Sequence, residues 1–476
     1  MQKIQMRWLR RLSPVTWVGA LWLAGCAVPG DPPPHAVAPP ASWQRAQPDA
    51  NASPVDARWW SQLGSTELDT LIAQAQARNQ DLAMALARVD GARAQARIAG
   101  AQRLPELTGQ IDTSRQGRMG GQAAVDGNAH AIGFAARYEL DLWGRQGALH
   151  REAQQGLRAS VFERDAVQLS VTAEVASSWL QMVGLRERVA IACSNLENAQ
   201  RVLRLVESRG RAGAATPLDL AQQRGLAATR ERELARLQQQ ARHAETALAL
   251  LLGLPEPTAT SAAERTRLEA LRISPISAGL PSQLLVRRPD LTQAEARLAA
   301  ADANVRAARA AMLPRVTLTA SVGLQGQAAG GLFDNPIYSL AAGLAAPIFD
   351  GGRLAGERDL AVARREELLG AYRAAIIGAF ADAQTALDAV AGSDAQASAQ
   401  VEELLQARRA AELSELRYRA GAETLLVLLD AQRVLYSAQD LDVQLRQGRL
   451  QARVALYRAL GGGWRDEASV LAQGER

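Results

Sequence analysis

Beyond residue 56, this chain of 476 residues is written twice. RAGA at Arg211–Ala214 returns at Arg419–Ala422, an offset of 208, and Gly253 and Gly461 keep that offset. Near the start of each half the offset is 209. There, DLAMALARVDGARAQARIAGAQRLPELT from Asp81 matches DLTQAEARLAAADANVRAARAAMLPRVT from Asp290. Arg88 pairs with Arg297, Arg97 with Arg306 and Pro105 with Pro314. Solenoid repeats have periods of about 20–50 residues, so a period this long marks a duplicated structural block. It predicts two halves with the same order of elements, over 57–260 and 261–463, related by pseudo-symmetry.

Each half reads as a helix ending at LP, two alternating segments, a very long helical run, the RAGA break and a second long helix. Proline is absent between Pro105 and Pro217 and after Pro347, which leaves the long runs unbroken. Long helices are expected over 146–209, 217–252, 353–419 and 424–460. Val171, Val175, Ser178, Met182, Leu185, Val189, Ala192, Leu196, Ala199, Leu203 and Val206 recur in steps of 4 and 3. Such a heptad seam predicts left-handed supercoiling. A second stripe (Thr172, Ala176, Trp179, Val183, Ala190, Cys193) predicts neighbours on both sides, as in the wall of a barrel, and makes Cys193 a small core residue. Leu369, Tyr372, Ile376, Phe380, Ala383, Leu387 and Val390 repeat the spacing in the second half. From Gln146 to Arg209 a continuous helix would be roughly 95 Å long. That length suits a structure crossing a wide compartment.

Four segments alternate with period two, over 107–115, 131–142, 315–326 and 337–348. Ile132, Phe134, Ala136, Tyr138, Leu140 and Leu142 share one face, while Arg137, Glu139 and Asp141 share the other. Val316, Leu318, Ala320, Val322 and Leu324 likewise oppose Arg315, Thr317, Thr319, Ser321 and Gln325. A soluble sheet with one wet face fits any single strand equally well. Together with the features below, the four suit a transmembrane β-barrel, apolar outside and polar inside. Four strands cannot close a barrel, because the smallest closed forms have about eight. An open edge in lipid would leave backbone groups unsatisfied, so the barrel must be shared between chains. Two chains give a lumen filled by side chains; three give twelve strands and room for a water-filled passage, which the polar inner faces favour.

The N-terminus carries an address. Lys3, Arg7, Arg10 and Arg11 precede the apolar run VTWVGALWLAG and then Cys26, so residues 1–25 read as a secretory signal, too short to span a membrane. LAGC at Leu23–Cys26 resembles the bacterial lipobox, which predicts a covalent lipid on Cys26. Ala27, rather than aspartate, follows it and favours the outer membrane. Residues 26–56 are rich in proline and read as an extended tether, and 464–476 as a tail. The formal charge of +5 falls to near neutrality once that basic segment is set aside, because it contains no acid. A nearly neutral chain with interspersed charges has no polybasic patch for nucleic acid. With Cys26 acylated, Cys193 has no disulfide partner. His35, His130, His150 and His243 are scattered without ligand spacing, and no nucleophile elbow or phosphate loop appears. Catalytic residues, bound metal and cofactors are not expected. A periplasmic adaptor or structural lipoprotein would share the helical hairpins but needs compact β-domains in place of barrel strands.

The chain resembles the TolC-type outer-membrane efflux family, in its lipoprotein branch serving resistance-nodulation-division (RND) drug pumps. The resemblance rests on WWSQLGSTELDTLIAQA, LLVRRPDLTQAEARLAAADANVRAARAAMLPRVTL, APIFDGGR, and RYRAGAETLLVLLDAQRVLYSAQ through ALYRALGGGW. It implies a homotrimer with a twelve-stranded barrel in the outer membrane and a trimeric α-barrel in the periplasm. It implies a periplasmic adaptor and an inner-membrane pump as partners. Within the family, protein or metal export are alternatives to drug export.

The RAGA breaks match the family's periplasmic helix turns. Gly213 and Gly421 match the tip glycines where the adaptor docks. Thr216 and Thr424 read as N-caps of the returning helices, with Pro217 at the first helical position. Spacing alone makes Asp430 a solvated partner of Arg433, three residues on. The resemblance instead places Asp430 and Arg433 on the pore-lining helix and makes Leu426 a constriction. Rings of leucine close pores by dewetting, and acidic rings favour cations. Asp219 and Tyr418 match further constriction residues of some members. Glu423 stands where those members have arginine, and Val427 where they have aspartate.

Overall fold

A computed structural model describes residues 37–44, 56–122, 127–256, 266–272, 276–327 and 329–464. The signal peptide, Cys26, most of the tether and residues 465–476 lie outside the described residues. In chain order the elements are α1 (Thr66–Arg78), α2 (Gln80–Ala101), β1 (Glu106–Gln116), β2 (Gly127–Leu140), α3 (Arg145–Arg211), α4 (Pro217–Leu251), α5 (Leu284–Arg287), α6 (Pro289–Ala311), β3 (Arg315–Gly326), β4 (Pro336–Ala345), α7 (Arg353–Arg419) and α8 (Leu425–Ala459). They form two compact units, and neither unit is one half of the duplication. One takes Ile98–Glu152 and Ala299–Leu369; the other takes Val37–Arg97, Ala153–Leu298 and Gly370 onwards.

The first unit contains an antiparallel sheet in the order β1-β2-β3-β4. Its register places Ile111 beside Ile132 and Leu324, and Phe134 beside Val322 and Tyr338. Together with Leu107, Leu340 and Leu344 these make one continuous apolar face. It is bare in the single chain, with Ile111 77% and Leu340 77% exposed. The opposite face carries Glu106, Arg137, Thr319 and Ser321 beside small residues such as Ala341 and Ser339.

β2 ends two residues before the sequence suggests. Asp141 turns out of the strand to accept the Gln146 and Gly147 N–H groups, at 3.0 and 2.7 Å, where α3 begins. Asp350 does the same for the start of α7, accepting from Gly352 and Leu354 at 3.0 Å each. β4 stops at Ala345, ahead of Pro347, which has no N–H to give to a ladder.

In the second unit, helices pair side by side. Gln223 Nε2 of α4 donates to Ala199 O of α3 at 2.7 Å, Gln451 of α8 to Ser177 O of α3 at 3.0 Å, and Gln400 of α7 to Ala438 O of α8 at 2.9 Å. The order is therefore α4-α3-α8-α7. Val171, Val175, Met182, Leu185, Ala192, Ala199 and Val206 of the first seam are buried. The second stripe is covered only in part. Thr172, Ala176, Trp179 and Val183 are buried where Leu68, Leu71 and Ile72 of α1 join the same core. Ala190 and Cys193 lie further along α3 and are exposed, so Cys193 is not a core residue of the single chain.

The tether reading also needs correction at its C-terminal part. Trp43 is buried against Phe380, Ala383 and Leu456, and its Nε1 donates to Gly279 O at 3.0 Å. The pseudo-symmetry survives in the packing. A Cβ on Gly253 would stand 2.3 Å from Arg78 O, and one on Gly461 would stand 2.1 Å from Arg287 O. Each half thus closes its last helix against the equivalent backbone carbonyl of the repeat.

Candidate functional site: two helix turns and an exposed helix face

Two turns of matching construction join α3 to α4 and α7 to α8. The Gly213 N–H donates to Gly210 O at 3.1 Å and the Ala214 N–H to Arg209 O at 2.8 Å. In the second turn Gly421 donates to Tyr418 O at 3.1 Å and Ala422 to Arg417 O at 2.9 Å. Both are Schellman closures, which place a left-handed residue after the helix. The φ angles are +72° at Gly213 and +73° at Gly421. A Cβ at either position would meet nothing within 4 Å. Positive φ is therefore what demands glycine here, and the space outside each turn is open in the single chain.

The returning helices begin differently. Thr216 and Asp219 form a full capping box: Asp219 N donates to Thr216 Oγ1 at 3.1 Å, and Thr216 N to Asp219 Oδ2 at 2.8 Å. Thr424 holds the extended backbone of an N-cap, but its side chain makes no capping bond. Its N–H instead meets Glu423 Oε1 at 3.1 Å. Val427 stands where Asp219 reciprocates in the first half, so the return bond to the Thr424 N–H is lost as well. The hydroxyl-capping role expected of Thr424 is thus absent, and Asp219 is engaged in a cap.

Leu426, Asp430 and Arg433 share one exposed face of α8. Leu426 is 64% exposed, and Asp430 Oδ1 accepts from Arg433 Nη2 at 2.5 Å in a solvated pair. Leu425 and Leu428, on the opposite face, pack with Val202, Val206 and Tyr418. Tyr418 is only 4% exposed, so within the chain it is a core residue holding α7 to α3. Burial pushes its phenol above the usual range; the Arg209 guanidinium opposes that shift and Asp219 adds to it.

Two residues of this tip escaped the sequence reading. Arg209 lies 4.7 Å over the Tyr418 ring and donates to Tyr418 O at 2.8 Å, tying the ends of the two long helices together. Its signal was a basic residue in a helix's last turn. Leu218 is 65% exposed at the position of α4 that repeats Leu426, and the duplication alone could have found it.

An open sheet with one bare apolar face, and paired long helices with open turns, define the protomer of an outer-membrane channel. The chain belongs to the outer membrane efflux protein family, whose model matches residues 71–254 and 280–462, once in each half. It is 46% identical over 462 residues to the pyoverdine export outer membrane protein OpmQ of Pseudomonas aeruginosa, covering 95% of this chain and 97% of that protein. It is 34% identical to the outer membrane protein OprJ of the same organism, over 90% of this chain and 91% of that one. Among solved structures it superposes on the outer-membrane channel OprN with a TM-score of 0.83 at 28% identity, covering 90% of this chain and 98% of that one.

Proposed function

We propose that this chain is the outer-membrane channel of a tripartite efflux assembly. Three copies contribute four strands each to a twelve-stranded barrel, and α3, α4, α7 and α8 each to a tunnel through the periplasm. A lipid on Cys26 anchors each copy. A periplasmic adaptor docks at the turns around Gly213, Gly421, Thr216 and Thr424, and an inner-membrane RND-type pump supplies the energy. The channel conducts passively and performs no catalytic step. At its tip, a ring of Leu426 seals the passage by dewetting and a ring of Asp430, each with its Arg433, sets the charge beside it. The cargo is a small molecule, of the kind for which the 46%-identical OpmQ is named.

The observation that carries this reading is the sheet. Its apolar face is bare along all four strands, and among the described residues β1 and β4 have no partner on their outer edges. Lipid would cover that face, and neighbouring copies would pair those edges. Cys26→Ser removes the lipid and leaves the barrel. The variant should still require detergent for extraction; a chain that stays monomeric in buffer without detergent would sink the proposal.

A further inference from the structure

Within the chain, Glu163 of α3 is held from both flanks. Arg88 of α2 donates to its Oε1 at 2.9 Å, while Gln293 and Arg297 of α6 each donate to its Oε2 at 3.0 Å. The duplication requires a second such junction. The offset of 209 carries Arg88 onto Arg297 and Met84 onto Gln293, and the offset of 208 between the two long helices carries Glu163 onto Ala371. On one flank of α7 the junction is already built, because Leu291 of α6 packs with Ile376 and Ala379. On its other flank Ala371, Ala374, Ile377 and Ala381 are exposed. The repeat calls for an α2 there, and the chain's own α2 is engaged on α3.

We infer that the α2 of a second copy occupies this flank, with its Met84 seated at Ala371. This rests on the three-copy assembly proposed above and assigns residues to its seam. Met84 is 50% exposed in the single chain, so its side chain is free to meet a second copy. The two exchanges are coordinated. Glu163 becomes Ala371 and Gln293 becomes Met84, so the carboxylate and the amide that donates to it are lost together. The junction inside each copy therefore centres on a carboxylate, and the junction between copies centres on Met84 and Ala371, with Arg88 and Arg297 beside them.

The test uses the full-length protein in detergent, in a Cys193→Ser background that removes the exposed thiol. Met84→Cys with Ala371→Cys, treated with a short bismaleimide, should give covalent dimers and trimers on a denaturing gel. Either substitution alone should give none. Light scattering before denaturation reports the native assembly. Trimers in solution with only monomer on the gel would overturn the seam and leave the channel reading standing; a monomeric wild type would overturn both. Ala371→Arg provides a second arm, because it brings a third guanidinium to Arg88 and Arg297. It should abolish trimers while Ala83→Arg, exposed on a different face of α2 about 100° from Met84, leaves them intact; trimers unaffected by Ala371→Arg would contradict the seam.

Discussion

Tyr418 and Leu426 lie close together in sequence at the same helix tip, yet they face opposite environments. Tyr418 is locked between α3 and α7 by Val202, Val206 and Arg209. Tyr418→Ala should destabilise the protein by roughly 3 kcal/mol or more in denaturant unfolding, as expected when a buried aromatic is removed. Tyr418→Phe keeps the ring and should leave single-channel conductance unchanged; a changed conductance would put its hydroxyl in the pore. The Asp430–Arg433 pair is the reverse case. An exposed ion pair contributes only about 0.2–1 kcal/mol, so Asp430→Ala with Arg433→Ala should hardly alter stability. In planar bilayers the double variant should conduct more, and unchanged conductance in well-formed trimers would remove the pair from the gate. Helical spacing by itself puts Asp430, Arg433 and Leu426 on one face. It cannot show that Tyr418 lies on the other side of the hairpin, because burial there depends on residues of α3 more than two hundred positions away.

At the level of elements, the two hairpins share a C-terminal closure and differ in how the next helix starts. α4 has a full capping box and Pro217; α8 has a bare Thr424 and no acid in its first turn. Thr216→Ala should cost about 1 kcal/mol, whereas Thr424→Ala should stay within about 0.5 kcal/mol. Val427→Asp should restore the box and slow hydrogen exchange over the first turn of α8; exchange no slower than in the wild type would show that the extended backbone of Thr424 is not enough to support a cap. The long helices were legible because proline is absent from their interiors and their heptads are sustained. The strand ends were less so. Asp141 continues the alternation of β2 in sequence, yet it leaves the ladder because two unpaired N–H groups of α3 are within its reach.

At the scale of the whole molecule, the duplication is a repeat of sequence and element order, and the compact units cut across it. Sheet residues of both halves combine because β2 pairs with β3, which join the two halves through a single ladder. Among the described residues, the outer edges of β1 and β4 find no strand. Their free amides should therefore exchange quickly in any monomeric form and become protected on assembly; equally fast exchange in trimers would contradict a closed barrel. The sequence by itself determined the duplication, the long helices, the two-faced strands and the leucine and aspartate of the α8 face, because periodicity and breaker residues are local signals. Only the tertiary structure decided that Tyr418 and Trp43 are core residues, that Asp219 caps a helix, and that Cys193 and Met84 are left uncovered. Each of those outcomes depends on which distant surface arrives, or fails to arrive, against the side chain, and no spacing along one helix encodes that.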